Sequence, residues 1–221
     1  MLAAKNDRGG LILASTSPRR RELVALLGLP FQFAAVDVDE APRANESAEE
    51  MVRRLAIAKA RSGSSQHPGA IVVAADTIVA LDHSILGKPD DAGDAIRMLK
   101  RLRARPHIVY TGLVLADGTR EHLQIATTTV WMRDYSDAEI AAYVDTGDPL
   151  DKAAAYAIQH PAFHPVARIE GCYSNVMGLP LCRLYLALRE FGIGVPDPHS
   201  ILGNLLEANC PVAQEILNLK S

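Results

Sequence analysis

The run Ala70-Ile-Val-Val-Ala-Ala75, followed at once by Asp76, constrains the fold more than any other stretch of the chain. A short, unbroken apolar run rich in β-branched residues alternates with neither period two nor period 3.6. It therefore predicts a central strand covered on both faces. A carboxylate directly after such a run is costly unless it is paired or used. Asp76 and Thr77 are expected at the strand end, with Asp76 as a metal ligand or a general base for water. The plain alternative is an aspartate capping the next turn.

Other elements supply the cover. Leu11–Ala14 reads as a buried strand. Residues 18–27 read as a helix with Leu23, Leu26 and Leu27 on one face and Gly28 as its stop. Phe31–Val36 reads as a second strand. Ser47-Ala-Glu-Glu50 and Ser136-Asp-Ala-Glu139 are capping boxes that open helices over 48–62 and from 136 to Gly147. Residues 91–103 and 180–191 carry helical apolar spacing. Residues 107–116 and 122–133 form paired strands around Ala116-Asp117-Gly118-Thr119. Strands and helices mix without strict alternation, which predicts an α/β fold with a mixed sheet. Residues 1–10 read as a loose tail, 11–195 as one catalytic domain, and 196–221 as an extension with a short helix between Pro198 and Pro211.

Composition removes several functional classes. Hydrophobic residues make up 48% of 221, enough for a sizeable core. A net charge of −3 argues against a nucleic-acid polymer held by bulk electrostatics. No apolar run approaches the length of a membrane span, and the N-terminus lacks a signal-peptide core. The three cysteines, Cys172, Cys182 and Cys210, show neither a disulfide framework nor metal-ligand pairing, so a reduced cytoplasmic setting is expected. His160 and His164 are four apart, but Pro161 and Pro165 exclude a helix there, so zinc is discounted.

Four clusters can carry chemistry. Ser15-Thr-Ser-Pro-Arg-Arg-Arg21 ends a strand and starts a helix: Ser17 is a good N-cap and Pro18 a good first residue. Cations at a helix N-terminus are locally unfavourable unless an anion joins them, which points to a phosphate chain. The alternative is a solvated helix face. Three consecutive side chains cannot converge on one point, and Arg21 is the expected spectator. Asp76-Thr77 is the second cluster. Gly87-Lys88-Pro89 is the third, presenting an ammonium from a stiff turn, or simply an exposed lysine. The fourth, Thr146-Gly-Asp-Pro-Leu-Asp-Lys-Ala-Ala-Ala-Tyr-Ala-Ile-Gln159, ends in an amide able to read a base edge, or in a capped strand with an exposed glutamine. Val38-Asp39-Glu40 adds a carboxylate pair that could assist a divalent metal.

Taken in order, LASTSPRRREL, VDE, the AKA around Lys59, AADT, LGKP, TGDPLDKAAAYAIQ and IEGCYSNVMGLPL resemble the Maf family over roughly residues 11–192. The resemblance implies an elongated mixed sheet with flanking helices in two lobes around a cleft, similar to the inosine-triphosphate pyrophosphatase fold. It also implies hydrolysis of a nucleoside triphosphate to the monophosphate and pyrophosphate, with a divalent cation, Mg or Mn. Members are usually cytoplasmic and often dimeric, so a homodimer is expected. Carried over residue by residue, Asp76 is the general base and a metal ligand, with Glu40 beside it on metal or water. Ser15, Arg20, Lys59 and Lys88 face the phosphates. Arg19, Thr77 and Gln159 separate substrate branches and resemble the dTTP/UTP branch rather than the 7-methyl-GTP branch. The family's DKAGAYGIQG appears here as DKAAAYAIQH, with Ala154, Ala157 and His160 in place of glycines. Two alternatives stay open: a broad-range house-cleaning enzyme for modified nucleotides, and a nucleotide-sensing regulator of cell division with slow hydrolysis.

Overall fold

The computed structural model describes residues 10–82, 84–196 and 212–217. The expected tail up to residue 9, the helix expected between Pro198 and Pro211, and Cys210 fall outside the described residues. In chain order the elements are β1 (Leu11–Ala14), α1 (Pro18–Ala25), β2 (Gln32–Ala34), α2 (Ala48–Gln66), β3 (Ile71–Leu81), β4 (Ser84–Leu86), α3 (Ala92–Leu102), β5 (Pro106–Ala116), β6 (Glu121–Met132), α4 (Asp137–Val144), β7 (Val166–Glu170), α5 (Tyr173–Val176), α6 (Leu181–Glu190) and α7 (Ala213–Leu217). Two short 3₁₀ turns, Asp148–Asp151 and Ala153–Ala155, link α4 to β7. No helix among the described residues is long and apolar enough to cross a membrane.

The seven strands form one mixed sheet in the order β2-β1-β3-β5-β6-β7, with β4 also on β3. The β1 pairings are parallel and the rest antiparallel. The central strand β3 organises the molecule. One of its edges pairs with β5 from Val72 to Ala80. A strand has only two edges, so β1, at Ile71–Val73, and β4, at Val79–Leu81, share the other. Between them the backbone edge of β3 has no strand neighbour among the described residues, and Asp76 lies in the middle of this gap.

The hydrophobic core divides across the same gap. At one end Leu13, Leu23, Val73, Leu113, Leu184 and Leu188 pack together, joining β1, α1, β3, β5 and α6. At the other, Leu81, Leu99, Val109, Val130, Tyr135 and Ile140 join β3, α3, β5, β6 and α4. These are the two lobes expected around a cleft, spanned by the long strands β3, β5 and β6. Helix α2 crosses one face of the sheet and comes close enough that Gly63 and Gly112 have no room for a side chain: an added Cβ would meet Val72 Cγ1 at 2.9 Å and Val52 O at 2.8 Å respectively.

The structure corrects several expectations. Asp76 and Thr77 do not follow the central strand; β3 runs through both of them to Leu81, because pairing with the long β5 outweighs the polar break. The strand expected over Phe31–Val36 shortens to Gln32–Ala34, and Leu26 faces solvent while Val24 takes its place inside. The stretch after Gly147 holds no strand: Pro149 and the small residues that follow coil into 3₁₀ turns, with Ala154 at φ +59°. Strand β7, strand β4 and helix α5 are additions. They are too short, and in β7 too poorly patterned, to show a period.

Candidate active site

A cleft of about 1040 Å³ opens at the gap in the β3 edge. Ser15, Arg19, Arg20, Glu40, Lys59, Asp76, Thr77, Lys88 and Gln159, the nine positions expected to carry function, all line it. They come from six separate segments, so the fold rather than sequence proximity assembles them. Its size is at the upper end of what small-molecule sites use.

Successive residues of β3 point to opposite faces. Asp76 faces α2 and Thr77 faces α1 and α5, and the missing strand neighbour lets the cleft reach both. Asp76 is only 7% exposed. Its Oδ1 accepts from Lys59 Nζ at 2.6 Å, while Oδ2 accepts nothing from the described residues. The same ammonium lies 2.6 Å from Glu40 Oε1. Lys59 thus joins a buried carboxylate to one whose side chain is 62% exposed at the cleft mouth. Burial raises the Glu40 pKa, but the Lys59 hydrogen bond and the charges of Lys59, Lys88 and Arg20 outweigh it and hold Glu40 below the usual carboxylate range.

The arginine-rich turn separates its three cations. Ser17 caps α1 by accepting from Arg20 N, and Pro18 supplies the first helical residue. Arg20 turns inward: Nε donates to Gly178 O at 2.8 Å, one terminal nitrogen to Ser15 Oγ at 3.4 Å, and the other to Thr77 Oγ1 at 3.0 Å. Burial lowers its pKa, partly offset by Asp76. Five N–H bonds serve three acceptors, so one N–H on each terminal nitrogen has no partner among the described residues. Arg21 instead lies over the Phe33 ring at 4.2 Å, away from the cleft, as a spectator should. Arg19 stays on the cleft wall.

The opposite wall carries Lys88 and Gln159, both exposed. Ala154 N donates to Gly87 O at 2.8 Å, which ties the Gln159-bearing segment to the Lys88 turn. A second device holds the same segment. Lys152, 7% exposed, is ion-paired to Asp148 and Asp151 and also donates to Asp148 O. Tyr143 Oη donates to Asp148 Oδ2 at 2.7 Å and accepts from Ala157 N at 3.1 Å. The sequence marks neither Lys152 nor Tyr143 for this role. Tyr143 looked like an ordinary apolar position of α4, and only its distance from Ala157 marks it out.

No group of three or more histidine, cysteine, aspartate or glutamate side chains converges among the described residues as a ready-made metal cage. A magnesium-like ion does not need one: it takes one or two carboxylates, completes its shell with phosphate oxygens and water, and binds at octahedral geometry. Asp76 and Glu40, converging on one cationic point above an open cleft, fit that donor set. The arrangement can therefore grip a polyphosphate and place a carboxylate oxygen against a water, and Asp76 and Glu40 are the residues that would hold a divalent ion.

A family model described as Maf-like protein matches residues 10–191. A protein of Myxococcus xanthus (strain DK1622) named dTTP/UTP pyrophosphatase is 50% identical over 190 residues, covering 86% of this chain and 96% of its own. Proteins of the same name from Geotalea uraniireducens (strain Rf4) and Symbiobacterium thermophilum are 46% identical over 194 residues and 48% over 182. They cover 87% and 82% of this chain and 98% and 94% of their own. The chain belongs to the Maf family.

Proposed function

We propose that this protein is a nucleoside triphosphate pyrophosphatase acting on dTTP and UTP, releasing the nucleoside monophosphate and pyrophosphate. The observation that carries the reading is Asp76: a nearly buried carboxylate in the gap of the β3 edge, one oxygen fixed by Lys59 and the other facing a cleft lined with Arg20, Lys88 and Ser15. The name shared by relatives that match most of the chain supports the choice of dTTP and UTP.

In this mechanism Asp76 Oδ2 orients a water and takes its proton as the water oxygen attacks phosphorus. The bond between the α-phosphorus and the bridging oxygen breaks, and pyrophosphate leaves with that oxygen. The two unengaged N–H bonds of Arg20, the third N–H of Lys59 and the ammonium of Lys88 receive the charge that builds on the leaving group. Each well-placed donor of this kind is worth roughly 10²–10³-fold. A magnesium or manganese ion, held by Asp76 and Glu40 when bound, supplies further neutralisation of the phosphate oxygens. Arg19 and Gln159 meet the nucleoside end, and Gln159 offers donor and acceptor together to a pyrimidine edge. A cytoplasmic location and a homodimer complete the reading and rest on the family resemblance alone.

The test is pyrophosphate release from dTTP, UTP, CTP and 7-methyl-GTP with Mg²⁺ or Mn²⁺. Release from dTTP and UTP well above the other two supports the assignment. Equal release across the panel favours the broad-range enzyme, and binding without release favours the nucleotide-sensing regulator.

A further inference from the structure

Thr111, which no expectation singled out, sits opposite Thr77 in the β3–β5 register and is fully buried. Its hydroxyl and that of Thr77 are 3.0 Å apart, and either could donate when that pair is viewed alone. The surroundings decide the direction. Thr111 Oγ1 lies 3.1 Å from Asn175 O, a carbonyl that can only accept, so Thr111 spends its single proton there. It must then accept from Thr77. Thr77 in turn accepts from the terminal nitrogen of Arg20 at 3.0 Å. The proton order is therefore Arg20 to Thr77, Thr77 to Thr111, and Thr111 to Asn175 O. The other acceptor near the Thr77 hydroxyl, Gly178 O, lies at 3.5 Å, half an ångström farther than Thr111 Oγ1 and beyond the usual O–H···O range, so Thr111 is the favoured acceptor. The anchor is rigid, because Asn175 is itself buried and its Nδ2 donates to Val109 O and Thr128 Oγ1.

We propose that Thr111 is a positioning residue for substrate: through Thr77 it fixes the Arg20 guanidinium so that its two unengaged N–H bonds face the polyphosphate. Thr77, on this view, acts on substrate through Arg20, since its one proton goes to Thr111 and its hydroxyl oxygen accepts from the guanidinium. The inference rests on the proposed polyphosphate substrate and deepens it.

The test is a double-mutant cycle read by calorimetric binding of inorganic pyrophosphate with Mg²⁺, a readout that does not depend on turnover. Thr111→Val keeps the shape and removes the hydroxyl; it should weaken pyrophosphate binding about tenfold in the otherwise native chain. In an Arg20→Lys background the same change should cost less than about twofold, because no guanidinium remains to be aimed. A merely structural role for Thr111 costs the same in both backgrounds, and that result overturns the proposal, as does unchanged binding in Thr111→Val. Thr111→Ser restores the hydroxyl while losing a buried methyl, so it should bind within about twofold of the native chain, even if less stable. Loss of binding in Thr111→Ser equal to that in Thr111→Val also overturns the proposal. Failure of the native chain to release pyrophosphate from any nucleotide would count against the proposed activity and leave this binding cycle decisive for the relay.

Discussion

Lys59 Nζ donates to Asp76 Oδ1 at 2.6 Å, from helix α2 to the middle of strand β3. The contact is possible because α2 lies directly on the sheet, where Gly63 and Gly112 remove the side chains that would hold it off. One oxygen of Asp76 is thereby fixed and the other left to the cleft, the arrangement a general base requires.

Asp76→Asn keeps the shape of the side chain and removes both the base and one of the two carboxylates proposed for the metal. Turnover of dTTP should fall about 10²–10⁴-fold, while the Michaelis constant changes only a few-fold, because Arg20, Lys88 and Ser15 still meet the phosphates. Steady-state kinetics of the purified variant checks this. Near-native turnover would remove Asp76 from the role.

Gly112→Ala tests the close approach of α2. Residue 112 is the register partner of Asp76, and an added Cβ would come within 2.8 Å of Val52 O and 2.9 Å of Ala56 Cβ. The expected loss is about 1–3 kcal/mol in urea unfolding, with a fall in turnover, since any outward shift of α2 draws Lys59 from Asp76. A stability equal to the native chain would show that the helix sits less tightly than described.

Tyr143→Phe should loosen the segment that carries Gln159. The change leaves buried Ala157 N without its acceptor and removes the Tyr143 donor from Asp148 Oδ2, while Lys152 still pairs with Oδ1. A stability loss of about 1–3 kcal/mol follows. The Michaelis constant for dTTP should rise, while turnover at saturation stays within about twofold. Kinetics with dTTP and 7-methyl-GTP on the same preparation separates loosened recognition from lost chemistry.

His107 makes stability depend on pH. It is buried, and burial lowers its pKa to about 4 from the ordinary 6.5. The unfolded chain protonates as pH falls through 6.5 while the folded chain does not until about 4, so the unfolded state binds more protons in that window. Stability is then full above pH 6.5 and declines toward pH 4, by about 2 kcal/mol at pH 5. His107→Gln should remove this part of the slope. Urea midpoints at pH 7 and pH 5 for both proteins check it, and equal slopes would contradict it.

Much of this was legible in sequence, and the gaps have physical causes. The capping boxes at Ser47 and Ser136 form as read, because Ser-x-x-Glu satisfies free helix N–H groups by purely local contacts. The nine positions expected to carry function were legible as motifs, and all nine line one cleft. What the sequence hid depends on long-range pairing. Asp76 looked like a strand end because polarity interrupts the apolar run, yet β5 carries the strand onward. The break in sheet pairing that opens the cleft beside Asp76 is set by where β1 stops and β4 begins, and no local pattern encodes it. Thr111 looked like an ordinary β-strand residue, and only the contact with Thr77 across the sheet gives it a role.

The central claim is cleavage of the α–β anhydride, and product analysis tests it most directly. Incubated with dTTP and Mg²⁺, the protein should give dTMP and pyrophosphate in equal amounts, resolved by ³¹P NMR, with no dTDP or orthophosphate at early times. Formation of dTDP with orthophosphate, or dTTP left intact, would contradict the account.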